Sequence, residues 1–166
     1  ATQITEGVSF YTSFACSFFF AARGTMEGNG KIIKLIARDE NLHVAVSHNV
    51  LRYFRDVPEE GFQEILKANE TKIYDAFWLV VEQEKRWADY LFSQGSLLGL
   101  NADVLKGYVE WIANNRLASL GYKKMFDTKK NPLGTWYDQY MNSDKVQVAP
   151  QETEISSYKI GARDTQ

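Results

Sequence analysis

Apolar positions along the chain recur every three to four residues, and glycines and prolines cut that pattern into helix-length blocks. The stretch from about Thr5 to Arg23 is apolar nearly all round, as a buried helix reads. Gly24 and the Gly28-Asn29-Gly30 cluster interrupt the pattern. A second helix is predicted from Lys31 to about Arg55, with Ile32, Ile33, Leu35, Ile36, Leu42 and Val46 as its apolar positions. Asp56, Pro58 and Gly61 predict a turn. The next helical stretch runs from Phe62 to about Phe92 and is expected to break near Asn69. Its later part, through Ile73, Phe77, Val80, Val81, Glu84, Trp87 and Leu91, keeps helical spacing. Gly95, Gly99 and Asn101 mark a loop, with Asn101 placed to cap a fourth helix from Ala102 to about Gly121. Asn131-Pro132 opens a short segment carrying Trp136 and Tyr140. After Ser143 the periodicity is lost. Residues 1–142 therefore read as one all-α domain, and 143–166 as a polar tail expected to be mobile.

Composition narrows the classes. The formal net charge of −2 gives no electrostatic reason to expect nucleic acid or an anionic membrane as partner. The apolar run Phe14 to Ala22 is too short to span a bilayer and ends at Arg23. The single cysteine, Cys16, excludes an intrachain disulfide framework and fits a reducing cytoplasm. Residues 1–6 lack a basic stretch followed by an apolar core, so no signal peptide is expected among them. Ala1 opens directly into a helix-like pattern and Gln166 closes a polar stretch. The sequence is expected to be a piece of a longer or split protein.

Chemistry enters at Glu40-Asn41-Leu42-His43. Positions three apart lie on one helix face, so the carboxylate and the imidazole can hold one metal ion together. Such a pair also occurs on solvated helix faces, so its surroundings matter. Ile33, Ile36, Glu40 and His43 follow one stripe. Glu6 heads an otherwise apolar block, with Phe10 and Phe14 at four-residue steps. A charge on a buried face is costly unless it is paired or bound to metal. Dinuclear carboxylate bundles use a lone Glu from each of two helices and Glu-x-x-His from each of two others. Oxygen donors with a few imidazoles suit iron or manganese, and spacing does not separate the two. One lone Glu and one Glu-x-x-His make half such a set, so the remaining ligands must come from another segment. His48, five residues past His43, points elsewhere on the helix and reads as structural or surface.

These residues carry a resemblance. The run Glu6-Gly7-Val8-Ser9-Phe10-Tyr11-Thr12-Ser13-Phe14-Ala15-Cys16-Ser17-Phe18 resembles a ligand helix of the small, radical-generating subunits of class I ribonucleotide reductases. Met26-Glu27-Gly28-Asn29-Gly30-Lys31-Ile32-Ile33, leading into Ile36-Ala37-Arg38-Asp39-Glu40-Asn41-Leu42-His43, resembles their Glu-x-x-His helix. Gln83-Glu84-Lys85, Trp87-Ala88-Asp89-Tyr90-Leu91-Phe92, Gly99-Leu100-Asn101, Val146-Gln147-Val148-Ala149-Pro150-Gln151-Glu152 and Ser156-Ser157-Tyr158 extend the likeness over essentially the whole chain. It is closest to the enterobacterial type and its phage relatives, and it covers the C-terminal half of such a subunit.

The resemblance implies a ferritin-like bundle, a homodimer of the complete small subunit, a large-subunit partner and a di-iron centre. It implies that Glu6, Glu40 and His43 are iron ligands. Phe10, Phe14, Ile33 and Ile36 match the apolar lining around a radical-bearing tyrosine. Asp39 matches an aspartate that bonds a ligating histidine and joins the electron path. Tyr158 matches the tail tyrosine that passes the radical to the large subunit, and Glu152 a tail glutamate needed for that transfer. The family's first-half ligands, radical tyrosine and pathway tryptophan have no counterpart here, so no tyrosine of this chain is expected to hold the stable radical; Tyr11 reads as core. The alternatives are a di-metal carboxylate oxidase or monooxygenase of the same bundle type, and a helical scaffold that only binds partners. An exported radical needs Tyr158, which such an oxidase does not, and a scaffold gains nothing from two carboxylates on apolar faces.

Overall fold

The computed structural model of the protein describes residues 2–57 and 61–141. Its first apolar block is not one helix. A single turn, α1 (Thr2–Ile4), passes into a π-helical stretch, Thr5–Ser9, before α2 (Tyr11–Ala21) begins. The next helix, α3 (Glu27–Asp56), starts earlier than the pattern predicts and takes Gly28-Asn29-Gly30 inside it. Its 30 residues make a rod about 45 Å long.

Packing against α2 explains why glycine is tolerated in α3. A Cβ added at Gly30 would lie 2.5 Å from the Cβ of Ala21, so the two helices touch where neither can carry more bulk. Replacing Gly30 by alanine raises helix propensity by about 1 kcal/mol. Forcing the crossing apart costs about 1–3 kcal/mol. Gly30→Ala is therefore expected to lower stability, which a shift of the urea midpoint at unchanged slope would show.

Beyond α3, helices α4 (Phe62–Ala68) and α5 (Glu70–Leu91) meet at Asn69, where the pattern predicts a break. The Asn69 backbone leaves helical geometry, with φ −108° and ψ 12°, and its side-chain amide donates to the Ile65 carbonyl at 2.8 Å. α6 (Ala102–Ser119) is capped as expected, with Asn101 Oδ1 accepting from the Val104 N–H at 2.9 Å. α7 (Thr135–Met141) follows Asn131-Pro132. Asn114 of α6 ties the intervening loop down, accepting from the N–H groups of Met125 and Phe126 and donating to the Phe126 carbonyl at 2.8 Å. Among the described residues no β-strand forms, and no helix is long and apolar enough to cross a membrane.

The core centres on α2. Phe14, Ala15, Phe18 and Phe19 are buried together with Phe77 and Val81 of α5 and Leu105, Val109 and Leu117 of α6. Buried Tyr108 donates to the hydroxyl of buried Tyr137 at 2.6 Å, which satisfies a phenol that would otherwise be stranded. Cys16 is half-buried, and burial pushes its thiol up to about 11, so it is a packing residue with little thiolate at neutral pH. α3 joins this core through a narrow stripe of small side chains seven residues apart, Gly30, Ala37 and Val44. Its apolar residues Ile32, Leu42, Val46 and Val50 stay exposed.

Glu84 of α5 is buried, and its Oε2 has no hydrogen-bond partner. Burial raises its pKa, offset in smaller part by the neighbouring Thr12 hydroxyl. A carboxyl raised in the folded state takes up a proton on folding. Stability therefore falls as pH rises from the unfolded value, about 4.3, through the folded one, and the penalty is complete above it. Glu84→Gln removes the charge at nearly constant shape. It is expected to remove the fall in stability that accompanies rising pH above the unfolded carboxyl value, read by denaturant melts at a series of pH values.

Candidate metal centre

Two local structures bring the chemistry together. The first is the π-helical stretch, which carries Glu6. It is anchored from below by buried Gln3, whose side-chain amide donates to the Val44 carbonyl at 2.6 Å and to the Ser47 hydroxyl at 2.7 Å. Gln3 thus ties α1 to α3 at Val44, the residue after His43, and at Ser47, one turn further on. The second is α3 itself, where helical spacing puts Glu40 and His43 on one face.

The three side chains converge. His43 Nδ1 lies 3.3 Å from Glu6 Oε2 and 3.3 Å from Glu40 Oε2. One ligand atom from each residue falls within 4.8 Å of the other two. Their exposure is graded, at 15% for the Glu40 side chain, 31% for Glu6 and 55% for His43. Glu6 Oε2 is itself buried and makes no hydrogen bond. Its close polar neighbour is His43 Nδ1 at 3.3 Å, outside hydrogen-bond geometry, and a buried carboxylate oxygen so placed is suited to a cation shared with that ring. Two carboxylate oxygens and one imidazole nitrogen aimed at one point form a donor set that fits iron or manganese. On one side, Glu6 and His43 border an open cavity of about 1360 Å³ lined by Leu42, Val46, Leu51 and Phe77 together with charged residues such as Arg52, Lys67 and Glu70.

The other site residues read from the sequence are placed as follows. Phe14 is buried and Ile33 half-buried against the core, whereas Phe10 is 39% and Ile36 41% exposed. Ile33 and Ile36 lie on α3 with Glu40 and His43, whereas Phe10 follows the π-helical stretch and Phe14 lies on α2. Asp39 is exposed and accepts from Arg38 at 3.4 Å; it takes no part in the trio. His48 borders the same cavity, half-buried, but stands outside the trio among the described residues. Glu152 and Tyr158 lie outside the described residues.

Sequence reasoning missed the scaffold behind the ligands. Arg116 of α6 donates through Nε to the Gly7 carbonyl at 3.1 Å and through Nη2 to the Tyr11 hydroxyl at 3.0 Å. Tyr11 in turn donates to Asn41 Oδ1 at 2.6 Å. Burial raises the Tyr11 pKa, with Arg116 working against it, so the phenol stays neutral and free to donate. No sequence spacing marks this network, because its members lie on four separate helical elements.

Comparison with known proteins points the same way. The model of the family described as "Ribonucleotide reductase, small chain" matches residues 1–132. Ribonucleoside-diphosphate reductase 1 subunit beta of Salmonella typhimurium is 48% identical over 162 residues, covering 97% of this chain and 43% of that protein. The chain thus spans less than half the length of such relatives. Among solved structures, a putative class I ribonucleotide reductase from Bacillus halodurans superimposes with a TM-score of 0.69 at 30% identity, covering 81% of this chain and 42% of that one. The Streptococcus sanguinis dimanganese(II)-NrdF structure shares the fold, with a TM-score of 0.66 at 20% identity over 84% of this chain and 47% of that one.

Proposed function

The chain belongs to the ribonucleotide reductase small-chain family, and from that premise we propose that it supplies half of a di-iron centre and the exit route of a radical in a ribonucleoside-diphosphate reductase. The observation that carries this reading is the convergence of Glu6, Glu40 and His43 on one point, with His43 Nδ1 3.3 Å from a carboxylate oxygen of each glutamate. Glu6 and Glu40 would hold the metal through carboxylate oxygens and His43 through Nδ1. When bound, the metal pair supplies the oxidation of a tyrosine by dioxygen.

The chain's own residues do the rest. The two carboxylates neutralise the charge of the ions they hold. Phe14 and Ile33 keep water from the pocket, and Phe10 and Ile36 extend that lining toward the segment that completes the site. Asp39 and Tyr158 form the electron path, with Glu152 or water taking the phenolic proton when Tyr158 is oxidised. The acceptor is a cysteine of the large subunit, where ribonucleotides lose the 2′-hydroxyl and become precursors for DNA replication. The complete small subunit works as a homodimer in the cytoplasm.

Loading with ferrous iron under anaerobic conditions tests the half-site directly. The chain alone is expected to hold iron weakly, since it offers half of the ligand set that such bundles use. Combined with the segment that completes the subunit, it is expected to bind two ions tightly. Parallel loading with manganese distinguishes the metals. Tight, stoichiometric dinuclear binding by this chain without a partner would overturn the half-site reading.

A further inference from the structure

Glu6 stands on a π-helical stretch, a rare geometry that occurs mostly as single turns, and contacts from outside the helix reach its backbone. The atoms that do so belong to α6. Arg116 Nε donates to the Gly7 carbonyl at 3.1 Å, one residue after Glu6. Gly7 is buried, and a Cβ there would meet Arg116 Nε at 3.2 Å and Val44 Cγ2 at 3.4 Å. The guanidinium therefore lies against bare backbone, and glycine is what lets it approach.

The same guanidinium reaches the residue beside the second carboxylate by relay. Arg116 Nη2 donates to the Tyr11 hydroxyl at 3.0 Å, and Tyr11 donates to Asn41 Oδ1 at 2.6 Å. Asn41 is the peptide neighbour of Glu40. The guanidinium carbon also lies 5.3 Å from the centre of the Tyr11 ring, and Tyr11 is buried. One planar fork thus grips the backbone beside Glu6 with one nitrogen and, through a buried phenol, the residue beside Glu40 with another. Among the described residues its hydrogen-bond acceptors are neutral oxygens, and it forms no ion pair with a carboxylate. A lysine could not reproduce this arrangement, because an ammonium has no rigid fork.

We propose that Arg116 is a positioning residue that sets the spacing of the Glu6 and Glu40 carboxylates and thereby the metal affinity of the site. This rests on the metal reading of Glu6, Glu40 and His43. Outer partners that orient metal ligands typically contribute 10–100-fold in affinity, and Arg116 is expected to fall in about that range.

The test uses the complete small subunit carrying this segment, loaded with Co²⁺ as the probe. Three quantities are read: thermal stability without metal, Co²⁺ affinity, and the visible bands of bound Co²⁺. Arg116→Gln should weaken affinity about 10–100-fold and shift the bands. Arg116→Lys should recover only part of the affinity, and Tyr11→Phe, which keeps the Gly7 bond but cuts the relay, should lose less than Arg116→Gln. Asn114→Ala is the control. It destabilises α6 and its loop away from the ligands, and should leave affinity and bands unchanged. Wild-type affinity and bands in Arg116→Gln would overturn the proposal, as would an equal loss in Asn114→Ala, because stability alone would then explain the effect. If Arg116→Gln does not fold, Arg116→Lys decides, and unchanged affinity there overturns the proposal. A wild-type protein that binds no Co²⁺ would sink the metal reading itself, an outcome visible before any variant is compared.

Discussion

Alanine in place of His43 is expected to abolish the metal centre and, with it, the radical signal of the completed subunit. His43 Nδ1 stands 3.3 Å from both carboxylates and is the nitrogen donor of the trio. Without it, two carboxylates face each other with no group between them, and metal affinity should fall by more than about a hundredfold, beyond what loss of an outer partner costs. Glu40→Ala should do the same, because Glu40 is the least exposed of the three side chains and its oxygen has no substitute on that turn. His48→Ala serves as the contrast. That imidazole borders the cavity and lies five residues further along α3, but it is not drawn into the trio. Its loss should leave iron content and the electron paramagnetic resonance signal after ferrous iron and oxygen close to wild type. Equal losses from His48→Ala and His43→Ala would show that α3 presents the wrong face.

How far such contrasts could be foreseen depends on where their cause lies along the chain. The break at Asn69 and the cap at Asn101 were legible because their reasons are local: a side chain bonding its own turn, in each case a few residues away. Glu40 and His43 were legible for the same reason, since helical spacing alone puts them on one face. Gly28-Asn29-Gly30 misled because the glycine at 30 answers to Ala21 on another helix, and packing there outweighs propensity. The π-helical stretch was invisible because Arg116, which grips it, lies 109 residues away. Periodicity also identifies a face without saying what covers it. Of the stripe through Ile33 and Ile36, Ile33 packs against the core, while Ile36 stays exposed and the fully buried positions of α3 are Gly30, Ala37 and Val44. Tyr11 was rightly read as core, but its hydroxyl proved to be a relay between helices, which hydrophobicity does not encode.

Phenylalanine at position 158 is expected to silence nucleotide reduction while leaving the metal site untouched. Tyr158 lies outside the described residues, so the case rests on chemistry and on family membership. In the sequence it stands in a predominantly polar stretch. An unperturbed phenol titrates near pH 10, so oxidising it at neutral pH must also release its proton, which on the proposed route would pass to Glu152 or water. Phenylalanine keeps the ring and removes the transferable hydrogen. The substitution is remote in sequence from Glu6, Glu40 and His43, so iron content and the stable radical should match wild type. Affinity for the large subunit should change little, because one hydroxyl is lost and the ring remains. Turnover should fall to background. Iron content, radical yield, large-subunit affinity and turnover are to be measured on one preparation. Substantial turnover by Tyr158→Phe, with the other three quantities intact, would show that the radical leaves by another route and that this part of the chain serves only to tether.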